Sequence, residues 1–190
     1  MSPFEYLLAL VSILIGLAIA DLSMSLHRLL RARRRVGWDW LPLAAASLVM
    51  LLILEFWWIF YSLGTSPVFT QYGAFLLLAA SLVSMFLLAS AALPDEVPTE
   101  GLELGDYYRD NARYLWTLFA LFVLLMVAVE AVAQPDGPLS ALPAIPTLLN
   151  LMLVALLGSL ALVRRRAYHV LLVPLILIYL LWQWSGLHLG

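Results

Sequence analysis

The stretch FEYLLALVSILIGLAIADLSMSL, residues 4–26, followed at once by HRLLRARRR, residues 27–35, decides the fold class. The first part is apolar on nearly every side of a helix and carries two charges, Glu5 and Asp21. Such a helix belongs in a large core or in lipid, and a bilayer span needs about 20 apolar residues. The second part sets Arg28, Arg31, Arg33, Arg34 and Arg35 directly behind it. An apolar run with a basic flank reads as a membrane helix whose arginine end faces the cytoplasm. A signal peptide is the competing reading, because Ala18-Ile19-Ala20 imitates a cleavage site. Its n-region would hold Ser2, Pro3 and Glu5, with no positive charge, and cleavage would strand the arginines outside. The run is therefore read as a retained helix.

Outward from this segment the pattern recurs. Further spans are predicted at residues 41–63, 72–93, 114–133, 147–163 and 167–185, the fifth being the shortest. Gly37, Gly64, Pro67, Pro94, Pro98, Gly101, Gly105, Pro135, Gly137, Pro138 and Pro143 mark the breaks. The expected architecture is an all-α integral membrane protein. It is one polytopic domain over residues 1–190, a bundle of about six transmembrane helices with short loops. Arg109 and Arg113 fall in the third connection, and Arg164, Arg165 and Arg166 in the fifth. With the first cluster, every arginine then lies on one side of the bundle. By the positive-inside rule that side is cytoplasmic and both termini are extracytoplasmic. The pattern resembles that of small bacterial inner-membrane proteins, a resemblance that carries no chemistry.

Composition agrees and excludes. Of 190 residues, 64% are hydrophobic and 12% charged, about half the charged share of a soluble domain. The net charge of −2 offers no polycation for nucleic acid. The chain has no cysteine, which removes thiolate chemistry and disulfides. It has no lysine either, which removes a retinal Schiff base. No G-x-S-x-G, H-E-x-x-H or Walker-type loop is present, so no enzyme, cofactor or metal is expected. His27 and His169 fall at the same membrane boundary but lack ligand spacing. Trp38, Trp40, Tyr107, Tyr108, Tyr114, Trp116 and Tyr168 are predicted as an inner aromatic belt. Tyr6, Trp57, Trp58, Tyr61, Tyr72, Trp182 and Trp184 are predicted as an outer one.

Polar residues within the spans are the functional pointers, since a charge at mid-bilayer costs about 2.5–3.5 kcal/mol on the insertion scale. Glu5, Ser12, Gly16, Ser23 and His27 fall within about 60° of one another at about 100° per residue. Ala44, Glu55 and Ser62 share a face of the second span, with Ser47 to one side. Both faces are expected to turn inward, with hydroxyls bonding across helices. Asp21 is expected to pair locally with Arg28. The small residues of the third span, Ala74 and Ala79 to Ala92, mark it as the most centrally packed helix or an oligomer contact. Pro174 is expected to kink the sixth.

Glu55 and Glu130 are the sharpest cases. Both are predicted in the outer half, on the side without arginines, with Glu5 on the same side. Carboxylates in low dielectric without a cationic partner tend to hold a proton, and two together could hold a cation. Asn150, Tyr179, Gln183 and Gln134 fall at similar depth. Glu55, Glu130, Glu5, Asn150, Gln183 and Tyr179 are thus the candidates for a proton or ion pathway. Arg28, Arg31, Arg33, Arg34 and Arg35 are candidates for anionic lipid headgroups. Asp106 is a candidate cap for a helix carrying Arg109 and Arg113 into the fourth span. Two functions follow as expectations. One is a channel or transporter for protons, cations or a small solute. The alternative is a non-transporting subunit, scaffold or sensor. It would dock as a homo-oligomer or on a partner membrane protein through its helices and the loop Asp95–Arg113.

Overall fold

In the computed structural model, residues 3–63, 69, 71–133 and 145–184 are described. They form six helices: α1 (Pro3–Arg31), α2 (Trp40–Leu63), α3 (Tyr72–Ala92), α4 (Leu104–Ala133), α5 (Ile145–Leu162) and α6 (Arg166–Trp184). The chain is all-α, as the hydropathy pattern predicts. Helices α1 to α4 are long and apolar enough to cross a membrane, with mean hydropathy of 2.2–2.4 in their most apolar windows. The apolar stretches of α5 and α6 are shorter among the described residues. The largest boundary difference is at α4, which begins ten residues before the expected span, at Leu104 rather than residue 114. Its first turns are amphipathic and stay outside the apolar pattern. Asp106 lies inside the first turn rather than at the cap, and pairs with Arg109 at 2.9 Å.

Helix α4 packs most extensively on α5 and α3, and α1 leans on α3. Helix α2 touches α1, α3, α4 and α6. In α3 half of the most apolar window is buried, the largest share of the four long helices. Its small residues allow this, and two of its serines are satisfied within the helix. Ser81 donates to the Leu77 carbonyl and Ser84 to the Ser81 carbonyl, both within α3. A hydroxyl that back-bonds to its own helix is satisfied locally. Ser90 is different: it donates to Asp21 of α1 at 2.6 Å. That bond replaces the expected Asp21–Arg28 pair.

Helix α1 corrects the sequence reading most sharply. The buried face is Val11, Ile15, Ala18, Leu22, Ser25 and Leu29. Glu5, Ser12, Gly16, Ser23 and His27 are all exposed, so the polar face turns away from the bundle. A Cβ added at Gly16 would meet nothing within 4 Å. The larger apolar side chains won the core, because they bury more surface than a stripe of small ones.

The arginine-bearing segments meet at one end of the bundle. Arg33–Arg35 form a single 3₁₀ turn, followed by strand β1 (Val36–Gly37). It pairs in parallel with β2 (Leu102–Glu103), Val36 opposite Leu102 and Gly37 opposite Glu103. Arg28 donates to the Asp95 carbonyl at 2.8 Å, and Ser25 to the Asp95 carboxylate at 3.2 Å. The acidic connection before α4 is thus laid on the chain's own basic connection. Gly101 closes a turn in the acidic connection just before β2, its amide donating to the Pro98 carbonyl at 3.1 Å. Its φ is +106°, and an added Cβ would sit 3.0 Å from the Arg35 carbonyl oxygen. Gly101→Ala is expected to destabilise the protein by about 1–3 kcal/mol, the range for a non-glycine residue held at such a backbone angle. A lower thermal midpoint in detergent would register it; an unchanged midpoint would mean the β1–β2 pairing adds nothing to stability.

Candidate functional site

Two cavities open between the same four helices, α2, α4, α5 and α6. The one at the end away from the arginines has a volume of about 90 Å³. Its polar lining is Glu55 from α2, Glu130 from α4 and Asn150 from α5, set among Phe56, Phe122, Met126 and other apolar side chains. Three of the pathway candidates, distant in sequence, therefore share one small cavity. The other candidates do not join them. Glu5 is exposed on α1, and Tyr179 packs on the core without lining the cavity. The Gln183 side chain, Gln134 and His188 lie outside the described residues. A volume of this size takes a few waters and falls well below the roughly 300–1,000 Å³ of small-molecule pockets.

The second cavity, about 460 Å³, lies at the arginine end. Its rim carries Arg109, Arg113, Arg164 and Arg166, and its floor includes Tyr108 and His169. Asp39 organises the rim from below. One carboxylate oxygen accepts from the Leu41 amide at 3.0 Å and caps α2. The other accepts from Arg166 at 2.6 Å. Asp39 is 10% exposed along its side chain, so the pair is largely shielded on that side. Gly105 lies against it, and a Cβ there would come 2.7 Å from the Asp39 carboxylate. The sequence signal for Asp39 was present: an acid immediately before an apolar run is a helix N-cap.

Beneath this cavity runs a closed hydrogen-bond chain. Trp116 Nε1 and Tyr108 Oη are 2.9 Å apart, Tyr108 Oη and His169 Nδ1 2.9 Å, and His169 Nε2 and the Val163 carbonyl 2.7 Å. A carbonyl can only accept, so His169 Nε2 carries the proton. In the neutral imidazole Nδ1 is then the acceptor, and Tyr108 donates to it. Indole can only donate, so Trp116 donates to Tyr108. Each of these donors and acceptors is used once, with the imidazole neutral. Both ring nitrogens are engaged, and His27 is exposed on α1, so the two histidines do not meet. Trp116 is 0% and Tyr108 6% exposed. These two rings belong to the core rather than to the inner aromatic belt, where the sequence reading put them. Ser159 and Tyr168, 2.7 Å apart, tie α5 to α6 beside them.

A septum divides the two cavities. Leu48 of α2, Trp116 of α4, Leu157 of α5 and Val173 of α6 are each fully buried. On every helix this residue falls between the positions lining one cavity and those lining the other. Lining residues seven apart, Leu153 and Leu160 on α5 and His169 and Ile176 on α6, set its thickness at about 10 Å. Trp116 stacks on Phe119, centroids 5.6 Å apart and 9° from parallel. Phe119 in turn walls the acidic cavity. Comparison with protein families, with characterised proteins and with solved structures finds no match for this chain. Fold and sites therefore define a class only, an all-α membrane protein.

Proposed function

We propose that the protein is a channel or small transporter in which Glu55 and Glu130, with Asn150, bind the permeating ion. The observation that carries this reading is the pair of cavities in one four-helix seam, carboxylates in one and an apolar septum between. Apolar constrictions that exclude water are a recurrent form of gate, so the arrangement reads as a closed pathway. Cavity size favours a proton or small cation over a larger solute. Among these, a proton is the ion that a chain of carboxylates and a few waters passes without needing a coordination shell. In this reading the arginine end is cytoplasmic and the acidic cavity opens to the other side, in a bacterial inner membrane.

Proton flux into proteoliposomes tests it. Wild type is expected to dissipate a pH gradient faster than empty liposomes, under at least one voltage polarity. The Glu55→Gln, Glu130→Gln double variant is expected to lose most of that increment, while sodium and potassium fluxes stay at background. No proton flux under either polarity across a range of pH would sink the proposal. A second reading, a subunit that docks within the membrane, is favoured by one observation. The exposed face of α1 carries Ser12, Gly16, Ser23 and His27, and polar groups facing lipid are usually covered by protein.

A further inference from the structure

The geometry points to the arginine-lined cavity as a binding site for a phosphate-bearing anion, distinct from the arginine cluster behind α1. Volume comes first. At about 460 Å³ the cavity lies within the roughly 300–1,000 Å³ of small-molecule sites. Charge comes next. Arg166 is held by Asp39 at 2.6 Å, and Arg109 by Asp106 at 2.9 Å, with Asp110 more distant at 4.0 Å. Arg113 and Arg164 form no ion pair among the described residues, yet both line the cavity. The rim therefore holds two paired guanidiniums, that of Arg109 in an exposed pair, beside two that are uncommitted, and one carboxylate, Asp110, also reaches the lining. Guanidinium forks match phosphate oxygens bidentately, and they stay charged at any physiological pH.

The surrounding backbone adds to this. Helices α4 and α6 both begin at the cavity, and helix amino termini favour anions. The end of α5 would oppose them, but the Val163 carbonyl is already occupied by His169. Below the rim the wall is apolar, with Leu41, Ala112, Leu160 and Ala161. A charged rim over an apolar wall at a membrane surface suits a lipid headgroup with its glycerol and first methylenes, as basic pockets between membrane helices do. A soluble phosphate monoester would use the same arginines and leave the apolar wall uncovered.

The experiment has two arms on the full chain. In the first, the detergent-solubilised protein is offered phosphatidylglycerol or phosphatidylcholine and the retained lipid is weighed by native mass spectrometry. In the second, labelled inorganic phosphate is equilibrated against chloride at equal ionic strength. Retention of phosphatidylglycerol over phosphatidylcholine, retention of phosphate, or both supports the site, and the arm that responds identifies the source. The Arg113→Gln, Arg164→Gln variant is expected to bind the responding probe about ten-fold more weakly, or about 1.4 kcal/mol. An Arg165→Gln variant, altered at an exposed arginine that does not line the cavity, is expected to bind as wild type. If the pocket variant does not fold, Arg164→Gln alone is read in the same assay and is expected to weaken binding in the same sense. The inference is overturned if wild type retains neither probe above its control. It is equally overturned if the variant outside the cavity loses as much as the pocket variant.

Discussion

Trp116→Ala is expected to lower stability by about 3–5 kcal/mol, the range for removing a fully buried tryptophan or phenylalanine. It is also expected to raise basal proton leak in the same proteoliposomes. The stability loss has three sources. The indole is completely buried and stacks on Phe119. Its removal leaves a void that helices already fixed at α4 and α5 cannot easily fill. The Tyr108 oxygen also loses its donor. The leak follows from position. Trp116 is the largest of the four fully buried side chains, one per helix, that separate the acidic cavity from the arginine cavity. A void there brings water from either side to within a shorter apolar gap. Trp116→Phe keeps most of the ring volume and loses the indole donor, so it should recover the barrier while remaining less stable than wild type. Thermal unfolding in detergent and pH-gradient decay in liposomes read the two effects separately. A destabilised Trp116→Ala protein with no added leak would mean that the tryptophan is core only, and that the septum is not what closes the seam.

Much of this architecture was legible in the sequence because hydropathy is a coarse signal that lipid enforces. The runs that became α2 and α3 fell within a residue of their observed ends, and α1 ran five residues past its expected one. The arginine segments met at one end, as their spacing implied. Glu55, Glu130 and Asn150 were marked because a polar atom in an apolar run needs a reason, and the fold brings those three to one cavity. What failed was anything that depended on which face packs. The stripe of Glu5, Ser12, Gly16, Ser23 and His27 has the helical spacing of an inward face, yet α1 buries Val11, Ile15, Leu22 and Leu29 instead. In a helix apolar on nearly every side, periodicity carries too little contrast to choose a face. Tyr108 and Trp116 were mistaken for headgroup anchors for a related reason. Depth along α4 was readable from the sequence, but rotation about its axis was not. The Tyr108–His169 bond joins residues 61 apart and the Asp39–Arg166 pair joins the connection before α2 to the first residue of α6. Neither has a local sequence signature beyond the cap at Asp39.

His169→Ala is expected to lower stability by about 2–4 kcal/mol, built from buried groups left unpaired at about 1–3 kcal/mol each. His169 is 2% exposed. Removing it strips Tyr108 of its acceptor and the Val163 carbonyl of its donor at once. It also opens a gap where the start of α6 is fastened to α4 and to the end of α5. His169→Gln separates hydrogen bonding from volume, because an amide offers one acceptor and one donor group on a side chain of similar reach. Recovery of about half the loss by glutamine, read as a thermal midpoint in detergent, would assign the effect to the hydrogen bonds. No recovery would assign it to packing. The chain also predicts its own non-additivity. Trp116 and His169 both act through the Tyr108 hydroxyl, one as donor to it and one as acceptor from it. Once either is gone the hydroxyl is already compromised, and removing the other costs less. A cycle of Trp116→Phe, His169→Gln and the double variant should therefore show coupling of about 0.5–3 kcal/mol, the range for residues in one network. Strict additivity would mean that Tyr108 does not transmit between them, and that α4 and α6 are held together by packing alone.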